Sequence, residues 1–168
     1  MELREIILFV FLIVASIWDL KEKRIPVWVF SLTAVLIVCL DFGYLITELL
    51  NHVDSVESTR IVAEGIAGTE SRILAEKLAG MAVGLVLLAV SKLTGGEIGE
   101  GDGIAFLITG FTLGFRDNFL LLCEALLLSF VWSLIFIIAK KINLKTSLPF
   151  VPFVLIAFAI HILPVMSF

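Results

Sequence analysis

Apolar residues in this chain run in long unbroken blocks rather than at an amphipathic period. Ile6 to Trp18 carries no charge, and neither does Gly103 to Phe115. Charges and turn residues cut the sequence into six candidate spans, at about 4–20, 27–48, 74–93, 103–116, 118–140 and 148–167. A helix needs roughly 20 mainly apolar residues to cross the hydrocarbon core of a bilayer. Soluble domains run to roughly half apolar residues, whereas this chain is 60% hydrophobic with a mean hydropathy of +1.13. The expected fold is therefore all-α, a polytopic membrane protein of about six transmembrane helices forming a single domain over residues 1–168. Any chemistry has to be built inside that bundle.

The first span opens on Glu2, Arg4 and Glu5 instead of a basic cluster, and no small-x-small cleavage site follows it. It reads as a retained helix, not a signal peptide. Basic residues set the orientation. Lys21, Lys23 and Arg24 follow span 1, Lys92 ends span 3, and Lys140, Lys141 and Lys145 follow span 5. These three connections belong to one side, the cytoplasm, which puts both termini outside. The segment 49–73, with Asp54, Glu57, Glu64 and Glu70, reads as an extracytoplasmic loop or interfacial segment, the solvated loop being the simpler expectation. Gly80 and Gly84, and again Gly110 and Gly114, stand one helical turn apart, a spacing that lets helix backbones approach in lipid.

Several function classes drop out early. The net charge is −4 with no basic tail, so nucleic acid is not an expected partner. Cys39 and Cys123 lie inside apolar blocks and read as small buried hydrophobes. His52 and His161 have no ligand-spaced neighbours, so no metal and no cofactor are expected.

Ionisable residues within spans are costly and are candidates for function. Four acids qualify: Asp19, Asp41, Asp102 and Glu124. Asp41 and Glu124 fall towards the outer ends of their spans, where a carboxylate can reach the headgroups. Asp19 and Asp102 are deeper. Each lies fourteen positions from an outer charge, Glu5 and Arg116 respectively, or about 21 Å at helical rise. That is short of the roughly 30 Å hydrocarbon thickness, so both acids belong at one depth in the cytoplasmic half.

Paired carboxyls can hydrolyse a peptide. Like-charge repulsion keeps one protonated while the other ionises; the anion activates water and the acid donates to the developing oxygen. Around Asp102 the sequence is Gly95-Gly96-Glu97-Ile98-Gly99-Glu100-Gly101-Asp102-Gly103. Such glycine density permits close approach of an extended substrate, and Asp102 stands where span 4 should begin.

Gly99-Glu100-Gly101-Asp102 resembles the GxGD motif of intramembrane aspartic proteases. Asp19 followed by Leu20-Lys21-Glu22-Lys23-Arg24-Ile25-Pro26, and the opening Pro149-Phe150-Val151-Pro152-Phe153 of the last span, are similar to the type IV prepilin and preflagellin peptidases. Presenilin-type enzymes carry their first aspartate on the helix just before GxGD, and Asp19 lies three spans earlier. The resemblance covers nearly the whole chain apart from about 43–73. It implies an aspartic endopeptidase of a prokaryotic cytoplasmic membrane, with Asp19 and Asp102 catalytic and Gly99, Gly101 and the neighbouring Gly103 as motif or substrate-binding positions. The implied partner is a type IV pilin-like or preflagellin-like precursor, cut at the cytoplasmic face to remove a short basic leader. Ile104 departs from the lysine of many relatives, and Val151 from a small residue. No methyltransferase domain precedes Asp19, so cleavage without methylation is expected. The competing class is a proton-coupled transporter using Asp19, Asp41, Asp102 and Glu124. A carrier should show inverted repeats, and residues 1–84 and 85–168 show no convincing one.

Overall fold

In the computed structural model, which describes residues 3–22, 25–53, 59–95, 99–139 and 149–162, all regular structure is helical. The elements are α1 (Leu3–Glu22), α2 (Val27–Val53), α3 (Thr59–Leu93), α4 (Glu100–Ile138) and α5 (Val151–Ile162). Helices α2, α3 and α4 contain stretches long and apolar enough to cross a membrane: Val27–Tyr44, Ser71–Leu93 and Glu100–Ile138. Leu126, Leu127, Phe130 and Ile135 on α4, like Leu32, Leu36 and Phe42 on α2, are exposed, an outer surface suited to lipid.

Among the described residues the six expected helices are five. Spans 4 and 5 belong to one element, α4, because helical hydrogen bonding resumes at once after a break at Gly114. There φ is 82° and ψ 179°, a conformation open to glycine and strained for other residues. The break reverses the chain. The Asn118 side-chain amide donates to the Phe106 carbonyl at 3.0 Å, although twelve residues of straight helix would span about 18 Å. The two arms of α4 therefore lie side by side.

The segment 49–73 also differs from the expected loop: residues 49–53 continue α2 and 59–73 begin α3. Asp54 and Glu57 lie outside the described residues. So do Lys23, Arg24, Lys140, Lys141 and Lys145, which carry most of the orientation argument, and residues 163–167 of the sixth span. At the far end of α3 the positive φ of Gly95 (70°) follows the last helical turn, a common helix terminator.

The largest interface joins α3 to α4, and glycine makes it. A Cβ placed at Gly84 would stand 2.7 Å from the Gly103 carbonyl oxygen, and one at Gly80 2.7 Å from the Gly114 carbonyl carbon. Gly110 likewise faces the Gly80 backbone. With lipid tails as apolar as leucine, helices associate through such contact and not through hydrophobic burial. Asn118, fully buried, staples the seam. Its amide donates to the Gly80 and Phe106 carbonyls, each at 3.0 Å, and its Oδ1 accepts from Thr109 Oγ1 at 2.7 Å.

The cysteines depart from expectation as well. Cys39 is exposed and Cys123 half-buried. An apolar block in a membrane helix has a lipid-facing side as well as a packed one, so apolar neighbours do not predict burial.

Candidate active site

The packed face of α1 is a single stripe: Leu8, Phe11, Leu12, Ala15, Ser16 and Asp19 are its buried residues. Their spacing of three and four keeps them on one side of a helix. Asp19 thus ends a hydrophobic stripe and is carried into the bundle with it, 9% exposed. Two turn-forming residues follow, Ile25 and Pro26. The residue before a proline avoids the helical region, so the chain breaks there and α2 restarts, with Val29 N donating to the Pro26 carbonyl at 3.0 Å.

Asp19 meets the start of α5. Its Oδ2 accepts the Val151 backbone N–H at 3.1 Å across 132 residues of sequence. Helix N-termini leave backbone donors without intrahelical acceptors, and here a carboxylate from another helix supplies one. Asp102 occupies the corresponding end of α4. Gly99 is the N-cap, with φ −61° and ψ 127°, and Asp102 N donates to the Gly99 carbonyl at 3.1 Å. Both carboxyls therefore stand at the dipole-positive ends of helices. Phe106, one turn after Asp102, stacks on Phe150 with ring centroids 6.3 Å apart, joining the two helix starts. Asp19 and Asp102 lie within electrostatic reach of each other.

The chain matches no family model, no curated protein and no solved structure.

The three glycines around Asp102 play different parts. A Cβ at Gly99 would lie 3.1 Å from Asp102 Oδ2, so this position leaves room for the carboxylate. At Gly101 a Cβ would meet Phe30 and Ile25 at 3.7 and 3.8 Å, ordinary van der Waals distances. Gly103 is a packing glycine: a Cβ there would lie 2.6 Å from Leu88 Cγ on α3. Beside the site an apolar cavity of about 450 Å³ runs between α2 and the α3–α4 pair, lined by Phe30, Ile37, Met81, Ile104, Leu107 and Phe111 among others. Ile104 is part of that apolar wall, a setting in which an aliphatic side chain fits.

The other two acids behave differently from the pair and from each other. Asp41 accepts from Arg4 Nη1 at 3.1 Å and from Lys77 Nζ. Lys77 also sits over the Phe111 ring, 5.0 Å from its centroid. This ionic layer binds α1, α2 and α3 together, fifteen residues of α1 away from Asp19, or about 22 Å. Glu124 was expected to be a solvated helix end, yet its Oε2 is buried with no hydrogen-bond partner among the described residues. Glu124 lies ten residues after the reversal at Gly114 and Asp102 twelve before it, so the two acids stand at similar distances from it, about 15 and 18 Å at helical rise. Among the described residues, no group of three His, Cys, Asp or Glu side chains could hold a metal ion.

Sequence reasoning missed Asn118, which follows Arg116-Asp117 and reads as the edge of a turn. It also missed the Val151 amide, since a backbone donor leaves no mark in composition. The only available signal was Pro152, which marks a helix start just before it.

Proposed function

We propose that the protein is an intramembrane aspartic endopeptidase, with Asp19 and Asp102 as its coupled acid pair. The observation that carries this reading is that each carboxyl stands at a helix start, Asp19 against the Val151 amide that opens α5 and Asp102 in the first turn of α4, with Phe106 and Phe150 stacked between those starts. The two acids lie 83 positions apart in sequence, on α1 and α4, and one of them ends the packed stripe of α1. An acid buried at that position has a cost, and shared chemistry accounts for it.

In the proposed reaction the pair holds one proton between its members. The ionised carboxyl takes a proton from water, whose oxygen attacks the scissile carbonyl carbon. The protonated carboxyl donates to the carbonyl oxygen as charge develops there. Collapse of the tetrahedral intermediate breaks the C–N bond, and the leaving nitrogen takes a proton from the pair. The protons belong to the coupled unit, so neither residue is assigned one role. With the GxGD setting of Asp102 and the Ile25-Pro26 and Pro149-Phe150-Val151-Pro152 elements, the substrate is a pilin-like or preflagellin-like precursor. It loses its leader at the cytoplasmic face of a prokaryotic membrane.

The test is processing of a co-expressed precursor by wild type, Asp19→Asn and Asp102→Asn. Each variant should lose nearly all turnover, since groups acting as a unit are not additive. Normal processing by either one rejects the pair.

The transporter reading keeps one specific observation, the unpartnered buried oxygen of Glu124. It loses Asp41, which two cations already hold. Proton flux into liposomes that required Glu124 would favour it.

A further inference from the structure

Resting on the aspartic-peptidase reading, we propose that the backbone amide of Val151 is a positioning group that sets the carboxyl plane of Asp19. Three observations carry this. First, the amide is buried with its residue, Val151 being 1% exposed, and its bond to Asp19 Oδ2 measures 3.1 Å. Second, the start of α5 offers no competing arrangement. Phe153 N and Val154 N both turn back to the Phe150 carbonyl, at 3.0 and 3.3 Å, and Pro152 has no N–H to give. Val151 is left as the donor that points away from its own helix. Third, the ring of Phe150 stacks on Phe106, so the α5 start is registered against the first turns of α4, where Asp102 sits. The amide therefore ties the orientation of one acid to the helix that carries the other.

A backbone donor limits rotation of the Asp19 carboxyl about its two side-chain bonds. A charge-assisted bond from a backbone donor is strong and directional. It also cannot swing away, because the donor belongs to the helix itself. Displacement of a reacting group by about 1 Å can cost on the order of a hundredfold in rate, so loss of this one donor should be felt in turnover and not in substrate affinity.

The donor can be removed with little change of backbone. Val151 is the first residue of α5, the position where proline is tolerated in a helix. Val151→Pro should still fold, with a thermal midpoint lowered only by the loss of one buried hydrogen bond, and keep its KM for the precursor, while kcat falls ten- to a hundredfold. Val151→Ala keeps the N–H and should exceed Val151→Pro in kcat by at least tenfold. If Val151→Pro does not fold, replacing residue 151 with the α-hydroxy acid of valine decides the matter. That change substitutes an ester for the amide at constant side-chain shape, and the same fall in kcat is expected.

Wild-type kcat in the proline or ester variant, with Asp19→Asn inactive, overturns the positioning role and leaves the acid pair standing. Equal losses in Val151→Pro and Val151→Ala overturn it too, by assigning the effect to the side chain. Full activity of Asp19→Asn rejects the acid pair itself.

Discussion

Asn118 donates its side-chain amide to the carbonyl of Phe106, twelve residues earlier in the same helical element, at a distance of 3.0 Å. That bond requires α4 to double back at Gly114. With the bonds to Gly80 and Thr109, it fixes both arms of α4 to α3. Replacing Asn118 with leucine keeps the branching of the side chain at a larger volume and removes all three bonds. Interhelical side-chain bonds in membranes contribute about 0.6 kcal/mol each, up to about 1.7, so a loss of about 1–3 kcal/mol is expected. Unfolding in mixed micelles measures it, and an unchanged midpoint would show that the reversal holds without the staple.

Three glycine substitutions should separate by mechanism. Gly84→Ala meets backbone on α4, which cannot rotate aside, so the helices must part and the thermal midpoint should drop. Gly99→Ala meets the Asp102 carboxylate, and here activity should fall more than stability. Gly101→Ala meets only ordinary contacts, and its midpoint should stay within a few degrees of wild type. Thermal melts and precursor cleavage, run side by side, check the order.

Asp41→Asn removes the anion between Arg4 and Lys77. Lys77 is then left largely buried, with a side chain only 14% exposed, and over an aromatic ring. Breaking one partner of a buried ion pair typically costs about 3–5 kcal/mol. Arg4 is one-third exposed, so water shares its loss, and a value of about 2–3 kcal/mol is expected. Cleavage per folded molecule should stay near wild type, because the ionic layer is some 22 Å from the acid pair by helical rise.

Glu124→Leu tests the orphan oxygen. An unsatisfied buried polar group costs about 1–3 kcal/mol, so its removal should stabilise the protein by about 1 kcal/mol in a chemical melt. A loss of turnover together with that gain would assign Glu124 a role in the chemistry.

The parts of this architecture legible in the sequence were those written in residue type and spacing. Uncharged runs marked the helices, the Gly80/Gly84 and Gly110/Gly114 pairs marked close approach, and Gly99-Glu100-Gly101-Asp102 marked a helix start bearing an acid. The buried stripe of α1 was not legible, because every residue from Ile6 to Trp18 except Ser16 is apolar and the packed side carries no mark. What else stayed hidden depended on backbone. A reversal that keeps helical bonding on both sides of Gly114 looks, in sequence, like a loop between two spans. The pairing of Asp19 with an amide 132 residues away involves an atom that every residue but proline possesses. In segment 59–73 the acids Glu64 and Glu70 made a solvated loop the simpler expectation, whereas the residues are helical.

The glycine seam has a mechanical consequence. Side chains that interdigitate can swap rotamers and let two helices slide, but backbone pressed against backbone has no such slack. Helix α3 and the first arm of α4 should move as one rigid plate, with Asp102 fixed to it. On the proposed peptidase reading, a gate for a peptide must then be cut from the remaining wall, α1, α2 or α5, and if α1 forms it the acid that travels with it is Asp19.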